Sequence, residues 1–326
     1  MPTPSRALIL ADIEGIVGVD DWRDIISGLA GYAAACRAYA ADVNAAVRGL
    51  RAGGAAEVLV VDTHGAGTNL APADIVGAEL IGDPSIMARI DAAIARGVDA
   101  LALVGFHAAA GTPDGFVPHS FNPQTRSWLD DHLAGEPAFY ALMLGNEGIS
   151  TTLITGDART LEQLRPFAPN ARGVQTKRSD SPWVAASFDP EPTRAAIAAA
   201  AADGYRARAG IAPSTLPAPM ALTLEAQHEV GARLIAGIPG VERRADGGLI
   251  YRGAWPEVWR AFVTANSLAA LAGTAGGSWF HGPIGGSLVE RLRGAAGDAA
   301  GPAFSGFYAD QFSPPWGPAC PPEAMP

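Results

Sequence analysis

The chain has 326 residues, of which 48% are hydrophobic and 17% are charged, so it can bury a full core in one large domain or in one domain with a smaller partner. Its formal net charge is -10 and its pI is near 5.0, and no cluster of Lys and Arg among aromatic residues occurs in it. An acidic chain of this kind is not expected to bind nucleic acid.

The sequence is not expected to carry a secretory or membrane-spanning segment. An acidic residue at position 12 comes too early for a secretory signal, and no uninterrupted apolar run approaches the roughly 18 residues that cross a bilayer. Cys36 and Cys320 form no CxxC pair, so they indicate neither an oxidising compartment nor a thiolate metal site. We therefore expect a cytoplasmic protein without a membrane partner.

Two acids follow the first apolar run, residues 7–10. A strand alternates its side chains with period two, so Asp12 and Glu14 should project from one face at the carboxyl end of a first strand. Like charges this close need a cation, a shared proton or a separate salt bridge, and no Lys or Arg lies between Ala7 and Asp21. A metal site is one interpretation, and acids that cap the next turn are the other.

Strands and helices then alternate along the chain. Apolar residues at steps of three and four predict a helix over residues 28–53, and a second helix is predicted over residues 84–96. Apolar runs at residues 57–61 and 98–106 are typical of strands that are buried on both faces. This alternation predicts an α/β fold, a largely parallel sheet with helices on both faces, in which ligands bind outside the carboxyl ends of the strands.

Polar residues follow each of these strands. Asp62 and His64 come after the second strand and His107 after the third, so a parallel sheet would bring them to the same edge as Asp12 and Glu14. A single His at a strand end is more often a hydrogen-bonded structural residue than a ligand. Two of them beside two carboxylates favour a functional site.

The rest of the sequence predicts a hairpin, a smaller lobe and a tail. A hairpin over residues 125–135 leads to Glu136, where the helix dipole alone could explain an acid, because Pro137 suits the first position of a helix. Residues 1–215 are expected to form the catalytic domain and residues 216–275 a smaller β-α-β-β-α lobe. We expect a homo-oligomer in which part of the Gly, Ala and Pro-rich tail, residues 276–326, lies extended over a neighbour.

Five short motifs occur in the order and spacing of a known family. They are Asp12-Ile13-Glu14-Gly15, Asp62-Thr63-His64-Gly65, Gly105-Phe106-His107-Ala108, Pro118-His119-Ser120 and Gly135-Glu136. Together they make the sequence resemble the D-aminopeptidases of the DppA type, which are zinc-dependent peptidases. No single motif is specific, but five in register make coincidence improbable.

The resemblance implies a site with two Zn²⁺ ions. The ligands that it implies are Asp12, Glu14, His64, His107 and Glu136. Three carboxylates and two neutral imidazoles carry -3 against +4 from two Zn²⁺, and one hydroxide makes the cluster neutral, which suits a partly buried site. The resemblance also assigns His119 to proton transfer or to stabilisation of the tetrahedral intermediate, because the loop that carries it faces the metals in that family.

The expected function is metal-dependent hydrolysis of a small peptide or amide from its amino end, with peptides of D-amino acids as one candidate substrate class. Phe139 and Tyr140 stand where the family usually has an Asn after the Glu, and Pro118 replaces the Ser before the loop His. Amide hydrolysis is therefore predicted more firmly than D-specificity. Two alternatives stay open: a metal-dependent amidohydrolase that acts on a non-peptide amide, and a non-catalytic metal-binding protein.

Overall fold

The computed structural model describes residues 5–82 and 85–274. The predicted Gly, Ala and Pro-rich tail, residues 276–326, lies outside the described residues. Among the described residues, no helix combines the length and the apolar character that crossing a bilayer requires.

Strands and helices alternate through the described residues. The strands, in chain order, are β1 (Arg6–Ala11), β2 (Glu57–Asp62), β3 (Glu79–Leu80), β4 (Ala100–Phe106), β5 (Thr125–Leu129), β6 (His132–Leu133), β7 (Ser150–Asp157), β8 (Arg172–Ser179), β9 (Ala185–Ser187), β10 (Met220–Ala226), β11 (Glu242–Arg243) and β12 (Leu249–Gly253). The α-helices are α1 (Tyr32–Ala52), α2 (Ile86–Ala95), α3 (Glu136–Asn146), α4 (Ala158–Leu164), α5 (Pro190–Ala207), α6 (Glu229–Ala236) and α7 (Trp255–Thr274).

The larger sheet has seven strands in the order β3-β2-β1-β4-β7-β8-β9. All neighbouring strands in it run parallel except β8 and β9. β1 lies between β2 and β4, and its last residue, Ala11, is opposite Asp62 on one side and Val104 on the other. The carboxyl ends of these three strands therefore lie at one edge of the sheet, as the sequence predicts.

Both faces of this sheet are covered. Along β1, Ile9 belongs to an apolar cluster with Val43 of α1 and Ile197 of α5. Leu8 and Leu10 point the other way, into a second cluster that takes in α2, α3, α4 and the smaller sheet. A strand buried on both faces needs apolar residues at every position, which explains the uninterrupted apolar runs in the sequence. The predicted α/β architecture is confirmed.

The smaller sheet combines two distant parts of the chain. Its strands are antiparallel in the order β11-β12-β10-β5-β6, and Leu129 of β5 lies opposite Leu222 of β10. The hairpin at residues 125–135 thus completes the lobe that the sequence predicts for residues 216–275. Leu222 also lies in the same apolar cluster as Leu8, so no break in the core separates the two sheets there.

Several predicted boundaries move. β1 ends at Ala11, so Asp12 and Glu14 lie in a turn after the strand and do not share a strand face. α1 begins at Tyr32, four residues later than predicted. β8 is not predicted by the sequence, because its residues are mostly polar. It lies one strand in from the edge of the sheet.

Two glycines let the turn after β1 press against the end of β4. Gly15 N–H donates to Gly105 O at 2.7 Å, and a Cβ at Gly15 would lie 2.1 Å from Phe106 O. Gly105 has φ +77°, and a Cβ there would lie 2.2 Å from Asp12 O. Any larger residue would force the two segments apart. This close approach places the acids that follow β1 beside the residue that follows β4.

We expect Gly15→Ala to lower the free energy of unfolding by about 1–3 kcal/mol, because the added methyl group overlaps Phe106 O and the backbone must shift. Urea denaturation measures the change. Gly210→Ala is the matched control, since nothing lies within 4 Å of a Cβ at that position. Equal stability of the two variants would contradict the close approach.

Candidate metal centre

Six acidic and histidine side chains meet at the carboxyl edge of the larger sheet. They are Asp12 and Glu14 in the turn after β1, His64 after β2, His107 after β4, His119 in the loop between β4 and β5, and Glu136 at the first position of α3. The structure therefore brings together all five residues that the sequence resemblance implies as ligands, and the predicted catalytic His as well.

The distances within this cluster define two groups that share Asp12. Asp12 Oδ1 lies 3.3 Å from His64 Nδ1, which is 3.2 Å from Glu14 Oε1. Asp12 Oδ2 lies 3.4 Å from His107 Nε2, which is 3.5 Å from Glu136 Oε1. In each group the three candidate ligand atoms lie within 4.8 Å of one another, so each could surround one cation. Asp12 is the residue that belongs to both groups, so it would help to hold both cations.

All three histidines are oriented by backbone carbonyl groups. His64 Nε2 donates to Ile25 O at 3.2 Å, and His107 Nδ1 donates to Ala108 O at 3.0 Å. His119 Nδ1 donates to Val117 O at 2.8 Å.

A carbonyl oxygen can only accept, so the hydrogen-bond network assigns the ring proton to the nitrogen that contacts the carbonyl group. The other ring nitrogen of each histidine, called the inner nitrogen below, faces the acids. Metal-ligating histidines have this arrangement, in which the second nitrogen is fixed by a carbonyl or a carboxylate.

The cluster demands positive charge. Burial alone would lower the pKa of His64 and of His107, but the neighbouring carboxylates outweigh it and raise both pKa values well above the ordinary value. Burial would likewise raise the pKa of Asp12, yet its contacts with the two histidines hold that pKa well below its usual range. Protonated imidazole rings are thus the source of positive charge that this chain itself can supply. A divalent ion would displace their protons.

Two buried atoms in the cluster have no hydrogen bond. They are Glu14 Oε2 and His107 Nε2, and both residues are 1% exposed. Within the described part of the chain, the ion pairs of Asp12, Glu14 and Glu136 are all with histidines. Buried carboxylates without a full partner are costly, so the donor set fits a metal better than it fits an internal salt bridge.

His119 presents its second nitrogen to the same cluster. Nε2 lies 3.9 Å from Glu14 Oε1 and 3.7 Å from Glu136 Oε1, beyond hydrogen-bond length. Its ring stacks on His107, with centroids 3.8 Å apart and an angle of 6° between the planes. Burial and then the charge of His107 lower the pKa of His119. A third set of ligand atoms, from Glu14, His107 and His119, is also compact enough for a cation.

The loop that carries His119 is strained on both sides. Val117 has φ +44° and Phe121 has φ +62°, although neither is glycine. Such conformations cost about 1–3 kcal/mol each and persist where the surrounding structure imposes them. Val117 O accepts from His119, and Phe121 N–H donates to Glu136 Oε1 at 2.6 Å. The strained residues are thus the ones that orient two members of the cluster.

Asp62 shapes the loop that carries His64. It accepts hydrogen bonds from the Tyr39 hydroxyl and from the backbone N–H groups of His64, Asn69 and Leu70. None of the compact metal-binding groups in the described residues includes it. Asp62 therefore positions a neighbour and does not enter the cluster.

Lys177 binds the backbone carbonyl group of Glu14, a role that the sequence did not indicate. It is the only lysine in the chain and is fully buried on β8, where burial lowers its pKa to about 8. Its ammonium group donates to Glu14 O at 2.6 Å and to Val19 O, and lies 4.7 Å from the centre of the Phe116 ring. It thereby ties the two ends of the turn to the sheet.

A cavity of about 340 Å³ opens onto the cluster. Its lining includes the three acids with His64 and His119, and the apolar or aromatic residues Ile86, Met87, Phe121, Tyr140 and Ala270. A positively charged group would be attracted to the carboxylates, and an apolar side chain would pack against the apolar residues. The arrangement therefore fits a small molecule with both.

Lys177→Met should lower the free energy of unfolding by about 1–3 kcal/mol for each of the two buried carbonyl groups that lose their donor. Arg178→Met, at the next and exposed position of β8, is the matched control and should change it by at most about 0.5 kcal/mol. Chemical denaturation of both variants makes the comparison. Similar values for the two would show that the buried ammonium group is not needed.

Comparisons with known proteins agree on one family. A family model described as D-aminopeptidase, peptidase family M55, matches residues 6–264. A D-aminopeptidase from Bacillus subtilis (strain 168) is 26% identical over 234 residues, which cover 71% of this chain and 85% of the relative. The solved structure of the Zn-dependent D-aminopeptidase DppA from Bacillus subtilis, described as a self-compartmentalizing protease, has a similar fold. It is 22% identical, with a TM-score of 0.71, over 81% of this chain and 98% of that one. The chain therefore belongs to the D-aminopeptidase family, M55.

Proposed function

We propose that this protein is a zinc-dependent aminopeptidase that releases the amino-terminal residue of a short peptide or a related amide. The observation that carries this proposal is the pair of His–carboxylate groups that share Asp12 beside a cavity of about 340 Å³. The proposed ligands of two zinc ions are Asp12, Glu14, His64, His107 and Glu136.

The donor set supports zinc. Imidazole nitrogen and carboxylate oxygen are ligands that zinc prefers, and the inner nitrogens of His64 and His107 face the acids. The similar solved protein is described as Zn-dependent. Zinc at such a site supplies a Lewis acid for the scissile carbonyl and lowers the pKa of a water molecule.

The chain's own residues would bind and orient the substrate. The three carboxylates of the cluster attract the α-ammonium group, which gives selectivity for a free amino end. Ile86 and Met87, which also line the cavity, would pack against the side chain of the first residue. Binding both ends of the residue holds the amide bond beside the cluster.

His119 is the proposed proton carrier. Its Nδ1–H is held by Val117 O, so Nε2 is the atom that reaches the cavity. That nitrogen can accept a proton from the attacking water and return it to the leaving amine nitrogen. The stack on His107 and the strained loop keep the ring in place for both steps.

The proposed substrate class is taken from the names of the relatives. Both relatives are described as D-aminopeptidases, so peptides of D-amino acids are the first substrates to test. We also propose a homo-oligomer, because the solved relative is described as self-compartmentalizing. The cytoplasmic location that the sequence predicts stays a prediction.

One screen tests the proposed activity. The purified protein, with its metal content measured on the same sample, would be offered D-alanyl peptides, L-alanyl peptides and non-peptide amides. Release of the amino-terminal residue supports an aminopeptidase, and cleavage of only non-peptide amides would favour the amidohydrolase. A saturated single ion with no hydrolysis would favour a non-catalytic protein.

Asp12→Asn and His107→Gln should each lose metal and activity together, because each removes a group that the other ligands cannot replace. Atomic spectroscopy of the dialysed proteins should find about two zinc ions per wild-type chain and markedly fewer in both variants. His228→Ala, at an exposed position before α6, is the control and should keep the wild-type content. Retained stoichiometric zinc in both variants would rule out the ligand assignment.

His119→Ala should keep its zinc and its folded state while kcat falls by about 10²–10⁴-fold, which is the usual contribution of a general acid or base. Steady-state kinetics and metal analysis on one preparation separate this outcome from ligand loss. If the zinc leaves with the imidazole, or if kcat stays within about threefold of wild type, His119 does not have this role.

A further inference from the structure

Tyr140 differs from the other fully buried tyrosines of the described chain. The Tyr39 hydroxyl donates to Asp62 and the Tyr205 hydroxyl to Asp99. Tyr140 is only 2% exposed, yet its hydroxyl makes no hydrogen bond within the described residues. The hydroxyl is not one of the enclosed polar atoms that lack a partner, and Tyr140 lines the cavity beside the cluster. A ligand in that cavity can therefore supply the hydrogen-bond partner.

The ring of Tyr140 is placed beside the cluster by α3. It stands four residues after Glu136, so the two side chains lie on one face of the helix, and a helical side chain leans toward the amino end of its helix. Phe106 and Phe121 hold the ring with edge contacts, at centroid distances of 5.9 and 5.5 Å. Tyr140 also lines the cavity that opens onto Asp12 and Glu136.

The phenol stays protonated in this position. Burial first, and then the negative charges of Glu136 and Asp12, raise the pKa of Tyr140 well above its ordinary value. Its hydroxyl therefore keeps a proton to donate at neutral pH.

Two other polar side chains of the cavity, Thr63 and Asn122, already have partners in the chain. The Thr63 hydroxyl donates to Ala11 O at 2.7 Å, and the Asn122 amide donates to Asn266 O at 2.9 Å. The Gln124 side chain makes no such bond within the described residues, but Gln124 lies outside the helix that carries Glu136. The α-ammonium group of a substrate has hydrogen-bond donors and no acceptor, so it would bind to the carboxylates. A substrate oxygen needs a donor, and the Tyr140 hydroxyl is one that is not engaged.

We propose that the Tyr140 hydroxyl donates a hydrogen bond to the carbonyl oxygen of the scissile amide as that oxygen gains negative charge. Tyr140 is then a further catalytic residue, and this role rests on the proposed amide hydrolysis. A fixed donor aimed at a developing oxyanion lowers the barrier without strengthening the binding of the ground state.

The test compares Tyr140→Phe with wild type, both as the zinc-loaded full chain and on the amide that wild type hydrolyses fastest. Removal of the hydroxyl should lower kcat by about 10²-fold, as loss of an oxyanion donor does, while KM stays within about threefold. The affinity for a phosphinate analogue of the tetrahedral species should fall by the same factor as kcat/KM. Zinc content should not change.

Stability separates this role from a structural one. A hydroxyl that has no partner among the residues that the structure describes can be removed without loss, so the unfolding temperature of Tyr140→Phe should stay the same or rise. Tyr205→Phe, whose hydroxyl bonds Asp99 away from the cavity, is the control and should keep the wild-type kcat. A Tyr140→Phe kcat within about tenfold of wild type, or unchanged affinity for the phosphinate, overturns the proposal. If wild type itself hydrolyses no amide, the proposed function has failed instead.

Discussion

Three carboxylates are buried at one edge of the larger sheet, and the need to balance their charge is the constraint on which the rest of the structure depends. Asp12 lies within 4.8 Å of a carboxylate oxygen of both Glu14 and Glu136, and within the described residues their ion pairs are with histidines alone. Like charges at this distance in a buried place are strongly unfavourable unless cations lie between them. Two imidazoles can carry protons there, and two divalent ions would do the same more completely.

The surrounding fold holds these acids together against their repulsion. The close approach at Gly15 and Gly105 presses the turn after β1 onto β4, and Lys177 ties Glu14 O to β8. Asp62 fixes the loop of His64 by accepting from the backbone N–H groups of His64, Asn69 and Leu70. The two glycines, Lys177 and Asp62 do not belong to the compact ligand groups. A large part of the sheet's carboxyl edge therefore serves to position the cluster. Such fixed positions are what a metal site and its substrate require.

The smaller sheet and the segments next to it complete the lining of the cavity beside the cluster. Its helix α7 supplies Ala270, and the segment before β5 supplies Phe121, whose N–H also donates to Glu136. The first turn of α3 favours the Glu136 carboxylate through the helix dipole, so the structural reason for an acid at that place and its proposed role as a ligand agree. One element thus carries both a charged member of the cluster and, one turn later, the Tyr140 phenol.

The sequence by itself determined the alternation of strands and helices in a largely parallel sheet, and the residue types of the cluster. Apolar runs such as residues 98–106 are local signals of buried strands, and in a parallel sheet the polar residues that follow them must reach one edge. Only the tertiary structure decided that Asp12 and Glu14 lie in a turn, that β5 pairs with β10, and that the one lysine supports the cluster. It likewise left the Tyr140 hydroxyl without a partner in the described chain. These features depend on contacts between residues far apart in the chain, which no local pattern of apolar and polar residues encodes.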